Sequence, residues 1–418
     1  MKKSAKINSK KFKNKTPPIS YFNVIAGIFF LILGFKGKRI LKDVASISLN
    51  SYEPFFQPFY TKNVALTYQG ILPVLSIKEQ NPFLEGFYHG FYLEKQITLL
   101  RKSSFIPKVE KKYIKILEEC EKLIPKKYLE EMQGIVNGYN VRIKQGSRFY
   151  CPLTLKELIL FHILPELEQF KLDEPTSISS SMACTVILSY DQTSGFVMGR
   201  NLDWHTKGVM GSCTLLVRRE CRDRTTLNLT LPGMVGVLTG MNDRGLCIAI
   251  NVCEGSISSF DGMPSLFFNR HCLESKSSVD EVKEFTQLER PLGAYHLSMA
   301  DPKGAAVVHF YQDDNIDYWR KFENAPVVTT NYRYGSFGKA NPTSKDSELR
   351  EIAIEKSLNK TASKPALVQV KKALSLPRVN NIKTAHQLIM FPKTKSMDVK
   401  FNNGWAANST LVKVTVET

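Results

Sequence analysis

Arg200 and Asp203 follow Cys184 by 16 and 19 positions, and these three residue types can do chemistry together. A thiol is a poor nucleophile until it loses its proton. A neighbouring cation stabilises the thiolate and lowers the cysteine pKa from roughly 8.5. Cys184 beside Arg200 and Asp203 therefore has the makings of a nucleophilic site.

The elements that must position them are legible in the same stretch. Val186 to Tyr190 is an apolar, β-branched run, Asp191 to Gly195 carries turn chemistry, and Phe196 to Met198 returns apolar toward Gly199. Two strands and a tight turn make a hairpin, and a hairpin brings its ends together. Cys184 at one end is expected to face Arg200 and Asp203 at the other.

Cys-Thr at the start and Gly-Arg-Asn-Leu-Asp-Trp at 199–204 resemble the cysteine N-terminal-nucleophile amidases. That superfamily includes bile-salt hydrolases, penicillin V acylases, acid ceramidase and N-acylethanolamine acid amidase. The 199–204 block is most similar to the acid ceramidase branch. Upstream, Gly86-Phe-Tyr-His-Gly90 and the Pro125 to Gly138 segment are similar to the leading half of penicillin acyltransferase-type members.

The resemblance implies an α+β fold, a four-layer αββα sandwich of two antiparallel sheets between helices. It implies scission of a precursor before Cys184. An α-amine titrates near 8, so the freed amine can take the thiol proton without a histidine. At position 184 of 418 that nitrogen is an amide until the chain is cut, and Asp203 is placed to hold the amine afterwards. The resemblance also points to Asn251 as an oxyanion donor, although a strand-end Asn making a turn fits the same residue. An uncharged amide suits the task because it does not titrate. Thr330-Asn331-Tyr332 resembles the segment carrying a second catalytic Asn. Arg350 resembles a second active-site Arg, with a solvated helical Arg as the alternative. No cofactor or metal is implied.

The formal charge of +18 is concentrated at one end, where residues 1–42 hold eleven Lys/Arg and no acid. The remainder is a mildly basic surface, which argues against nucleic acid as a partner and leaves an anionic membrane surface open. The eight cysteines include no Cys-x-x-Cys, and no His pair stands at zinc-ligand spacing. No P-loop, dinucleotide fingerprint or internal repeat is present.

Residues 1–20 read as a basic disordered tail and 21–39 as an apolar signal anchor or signal peptide. The apolar run Tyr21 to Phe35 is fifteen residues, short of the roughly 20 that span a bilayer. An uncleaved anchor is the first expectation, because Lys36, Lys38 and Arg39 follow directly and no small-residue cleavage site does. A cleaved signal and a buried helix are the alternatives. Membrane association or export follows from the first two. Residues 40–183 read as a pro-segment and 184–418 as the catalytic domain.

Between these landmarks, helices are expected at 81–100, 108–121, 154–170 and 344–358. Thr154 with Glu157 forms the capping pattern for the third. His89 within the first could serve as a base, but a histidine satisfied by its own surroundings is the expectation. Residues 213–218, 226–230, 235–238 and 246–252 read as consecutive strands, and 278–288 and 384–390 as helical or mixed elements. Residues 399–401 and 410–416 read as a closing hairpin. The polar, Ser-rich 173–183 stretch reads as a linker ending at Cys184.

Function on this reading is amide hydrolysis through an acyl-thioester, with a linear N-acyl or fatty-acyl amide as substrate. Acyl transfer to an amine is the alternative, although Arg200 favours the amidase side of the resemblance. A membrane-tethered, non-catalytic binding protein is a third reading, weakened by the presence of all the expected site residues.

Overall fold

The computed structural model describes residues 57–146, 151–170, 182–204, 209–221, 223–311, 317–334 and 345–416. The basic tail, the apolar 21–39 run, most of the Ser-rich linker and His205 lie outside them. Among the described residues no helix is long and apolar enough to cross a membrane.

In chain order the strands are β1 (Phe59–Tyr60), β2 (Val64–Gln69), β3 (Leu72–Ile77), β4 (Met182–Asp191), β5 (Gly195–Trp204), β6 (Leu215–Cys221), β7 (Arg224–Thr230), β8 (Thr239–Asn242) and β9 (Cys247–Val252). There follow β10 (Met263–Pro264), β11 (Pro291–Leu292), β12 (Tyr295–Ala300), β13 (Ala305–Phe310), β14 (Tyr318–Lys321), β15 (Val327–Thr329), β16 (Thr384–Phe391), β17 (Ser396–Phe401) and β18 (Val412–Thr415). Ten form one sheet in the order β1-β2-β3-β6-β7-β8-β9-β12-β13-β14, and six form another, β15-β4-β5-β16-β17-β18. Pairing is antiparallel except where β3 runs parallel to β6 and β10 to β11.

The two large sheets pack face to face. Val186, Leu188, Met198, Leu388 and Met390 of one share a core with Leu216, Leu227, Met241, Ala249 and Val307 of the other. Each such fully buried Val, Leu or Met side chain contributes about 1.5–3 kcal/mol. On the outer face of the six-stranded sheet, Ile187, Val197 and Ile389 pack under Ile354, Val370 and Leu374 from the helices Lys345–Lys360 and Ala366–Leu374. All ten residues of β5 are buried, because alternate side chains feed two different cores.

On the far side, helices Pro82–Tyr92, Lys126–Gly146 and Ser265–Ser275 cover the ten-stranded sheet. Glu85 and Glu131 from the first two bond Arg219 of β6, and Glu131 also bonds Arg270 of the third. The α+β class and the αββα layering are thus as expected.

The first two helices pack closely because each carries a Gly-x-x-x-Gly pair. A Cβ on Gly86 would overlap the Glu131 carbonyl, and one on Gly134 the Phe83 carbonyl. Thr154 and Glu157 form the expected reciprocal cap, but the helix ends at His162 and a separate turn covers Leu164–Leu167. Pro165 lacks an N–H, so it cannot continue the first ladder.

Two expectations fail. Residues 384–390 form a strand, β16, which pairs with β5 and β17. Its continuous burial hides the period of two that would have identified it. Residues 231–238 form an irregular buried loop, with the strand starting only at Thr239. Its Pro and glycines favour turns over ladder pairing.

Candidate functional site

The register of the β4–β5 hairpin decides what meets Cys184. Cys184 pairs with Leu202, Val186 with Arg200, and Ala183 with Asp203. Paired residues share a face and neighbours alternate. Cys184 and Arg200 therefore point into the space between the sheets, while Asp203 points toward the helices. The expectation that the thiol faces both groups holds for Arg200 alone. Asp203 lies on the other face, directly across from Ala183.

On the inter-sheet face, Arg200 Nη2 donates to Cys184 Sγ at 3.2 Å. Its Nη1 donates to the Leu238 carbonyl at 2.6 Å and to Thr239 Oγ1. Arg200 and Cys184 are 0% and 1% exposed. Burial pushes the Cys184 thiol up, and the Arg200 charge opposes that rise. The sequence argument foresaw only the second effect.

On the helix face, Arg350 is fully buried and held as a fork. Its Nη1 donates to the Cys184 carbonyl at 2.7 Å and to Thr185 Oγ1 at 2.8 Å. Its Nη2 donates to Asn331 Oδ1 at 3.1 Å and to Ser347 Oγ at 3.0 Å, and its Nε to Asp346 at 3.0 Å. This disposes of the solvated-helix alternative for Arg350. Asn331 Oδ1 also accepts from the Cys184 backbone N–H at 2.6 Å, and its Nδ2 donates to the Val252 carbonyl at 2.8 Å.

Asp203 is buried, and its carboxyl is pushed up to about 6 by that burial, against the Arg350 charge and bonds from Thr384 and Asn381. Asn381 Nδ2 reaches Asp203 Oδ2 at 3.4 Å, while Oδ1 has no partner among the described residues. A carboxylate oxygen without a donor in a buried site is costly, and it lies across the strand pair from the Ala183–Cys184 junction. That junction is not at a linker's end: β4 begins at Met182.

Asn251 at the end of β9 donates to the Thr329 carbonyl at 3.3 Å, and its Oδ1 has no partner among the described residues. That bond braces the strand leading to Asn331. No histidine bonds the thiol among the described residues. His386 pairs with Leu202 one strand beyond and bonds Thr214 Oγ1 at 2.7 Å.

Hydrogen bonds thus join Cys184, Arg200, Asn331 and Arg350 directly, with Asp203 paired to Ala183 and Asn251 bonded to Thr329. Sequence reasoning missed Thr239, Ser347 and Asp346, and gave Thr185 no role beyond its place in the Cys-Thr pair. Asp346 carried a signal, its spacing of four from Arg350 on a helix. No cluster of His, Cys, Asp and Glu among the described residues is arranged to hold a metal.

Residues 190–373 match the family model described as Acyl-coenzyme A:6-aminopenicillanic acid acyl-transferase. No curated protein matches the chain. Among solved structures, the chain is similar to a Caenorhabditis elegans N-acylethanolamine-hydrolyzing acid amidase ortholog at 18% identity and a TM-score of 0.40, over 50% of this chain and 93% of that one. Two forms of conjugated bile acid hydrolase from Clostridium perfringens each share 12% identity over 56% of this chain and 92% of theirs. Their TM-scores are 0.40 for a mutant and 0.43 for a second variant.

Proposed function

We propose that this chain, whose residues 190–373 match the model of the Acyl-coenzyme A:6-aminopenicillanic acid acyl-transferase family, is an amidohydrolase of the cysteine N-terminal-nucleophile type that works through an acyl-thioester on Cys184. The observation that carries this reading is the 3.2 Å bond from Arg200 to Cys184 Sγ, with an Asp203 Oδ1 that has no partner among the described residues across the strands from Ala183.

The chemistry follows from what each group can do. In the intact chain the Cys184 nitrogen is an amide and accepts no proton. Attack of Sγ on the Ala183 carbonyl breaks the Ala183–Cys184 bond, the nitrogen takes a proton, and a thioester forms. Water then releases the Ala183 carboxylate and regenerates the thiol. The new ammonium finds its acceptor in Asp203 Oδ1. In the free-base state that amine takes the thiol proton, and the thiolate attacks the substrate's amide carbonyl. The amine returns the proton to the leaving nitrogen, and water resolves the acyl-enzyme. Asn331 and Arg350 keep the Cys184 backbone fixed throughout.

The substrate on this reading is a linear N-acyl amide with a fatty acyl chain. The 21–39 run brings the enzyme to a membrane surface, and a chain beginning near Leu49 is expected to lose that association. N-terminal sequencing of the purified protein tests the scission, and a fragment beginning Cys-Thr-Val-Ile-Leu is expected. A fully active, uncut chain of 47.4 kDa would rule the mechanism out. Fatty-acid release from a panel of N-acyl amides tests the substrate class.

A second reading, acyl transfer to an amine, is favoured by the family match alone. Adding a primary amine to the assay separates the two. Hydrolysis yields free acid whatever the amine concentration, whereas transfer yields a new amide in proportion to it.

A further inference from the structure

Leu231 to Leu238 is a buried stretch without regular structure, so its backbone polar groups need partners outside a ladder. The Val237 N–H donates to the Leu266 carbonyl and the Leu238 carbonyl accepts from the Ile250 N–H, and side chains hold others. His89 Nε2 accepts from the Gly233 N–H at 2.8 Å, and His162 Nε2 accepts from the Val235 N–H at 2.7 Å. Arg270 donates to the Val235 carbonyl, Asn228 to that of Gly236 and Asn269 to that of Val237. The loop ends on the Leu238 carbonyl and Thr239 Oγ1, the two acceptors that hold Arg200 against the thiol.

Both histidines are fully buried and work as acceptors, which requires neutral rings. His162 Nδ1 bonds the Leu158 carbonyl at 2.6 Å, a donor's role that leaves the lone pair on Nε2. Burial holds His89 at about 3 and His162 at about 4, against the pull of the Glu131 charge and with Arg219 and Arg270 adding to the depression of His89. Both residues precede Cys184, while the loop they hold follows it.

We infer that His89 and His162 are positioning residues for the nucleophile, fixing the 231–238 loop so that Leu238 and Thr239 aim the Arg200 guanidinium at Cys184 Sγ. The inference rests on the reading of Cys184 as the nucleophile. It gives the leading segment a part in the chemistry of the trailing one. Neither histidine touches the reacting atoms. Each acts through the loop backbone between its N–H partner and Leu238, and through Arg200.

Alkylation of Cys184 by iodoacetamide, followed by mass spectrometry of its peptide across pH, reads the Arg200–thiol contact without any substrate. In His89→Leu and His162→Leu the acceptor is lost and the loop is free to shift. The midpoint of the alkylation profile is expected to rise by about one pH unit, about tenfold slower labelling at neutral pH. His89→Gln and His162→Gln carry an amide oxygen near the Nε2 position and are expected to restore the parental profile. Turnover of an N-acyl 4-nitroanilide should fall in kcat with KM little changed in the leucine variants, because the thiol rather than the binding surface is disturbed.

Should the leucine variants fail to fold, His89→Asn and His162→Asn carry the same test, since the shorter amide stays polar but cannot reach the loop. Folded leucine or asparagine variants with the parental profile and kcat would overturn the inference. So would glutamine variants as impaired as the leucine ones. Full turnover by Cys184→Ala would instead overturn the reading beneath it.

Discussion

The two faces of the β4–β5 hairpin hold Cys184 in different ways. On the inter-sheet face a single arginine reaches the sulfur, and its support passes through the 231–238 loop to His89 and His162. On the helix face Arg350 and Asn331 grip the Cys184 backbone, and the partners traced for them among the described residues follow residue 184.

That second network is dense. Tyr334 OH accepts from the Thr330 N–H and donates to Glu351, and Tyr311 OH bonds both backbone groups of Tyr334. Arg320 donates to His309, His309 bonds His296, and His296 bonds the Tyr332 carbonyl. Proton directions follow if both rings are neutral, which their burial enforces. Among the described residues these bonds link groups of the trailing segment to one another. The sulfur-holding face depends on a segment that scission at Ala183–Cys184 would detach covalently. The buried charges Glu85 and Glu131 against Arg219 and Arg270 would then join the two pieces, and breaking such a cluster costs about 3–5 kcal/mol.

The comparison breaks most sharply at the residue both faces share. Cys184→Ala is expected to abolish turnover and scission together while leaving the fold intact, checked by gel mobility and thermal unfolding. Scission without Cys184 would separate the two activities and defeat the shared site.

Substituting the two arginines comes next. Arg200→Lys keeps the charge but cannot span Leu238, Thr239 and the sulfur at once. A fall of about 10²-fold in kcat is expected, with thermal stability little changed. Arg350→Lys should match that loss in turnover and also unfold at lower temperature, because five bonds on the backbone-holding face are disturbed. Equal stability in the two variants would blur the distinction between the faces.

A smaller effect is expected from Gly134→Ala, whose Cβ overlaps the Phe83 carbonyl and forces the helix pair apart. Overpacking of this kind costs about 1–3 kcal/mol. Urea unfolding should show that loss, and Cys184 alkylation should slow in the variant as the histidines move. An unchanged alkylation profile would uncouple the leading helices from the thiol.

The smallest effect is in acid. His89, His162, His296 and His386 are held at about 3, 4, 3 and 3 by burial, below the ordinary 6.5. The unfolded chain takes up protons there as pH falls below 6.5, and the folded chain does not, so these groups destabilise the fold progressively. Burial raises Glu85 and Glu166 to about 7 and Asp203 to about 6, so the folded chain protonates them first and gains stability over the same range. The opposed effects leave a shallow change down to about pH 4.5 and a steep loss below it. Urea midpoints at pH 7, 5.5 and 4 check the shape, and His162→Gln should soften the acid side.

The sequence by itself marked Cys184 as the candidate nucleophile and outlined the hairpin that carries it, while the αββα class came with the family resemblance. Thiol chemistry, turn residues and β-branched runs are local properties, and local order suffices to read them. Asn331 and Arg350 were found by resemblance, and the burial of Arg350 could not be foreseen because a helix such as Lys345–Lys360 looks solvated when its partner lies 166 residues away. Only the tertiary structure decided that Asp203 faces away from the thiol, since one residue of strand register reverses a side chain. It alone made 231–238 a loop and gave His89 a lone-pair acceptor's role. A histidine's part depends on which N–H it meets, and Gly233 stands 144 residues further along the chain.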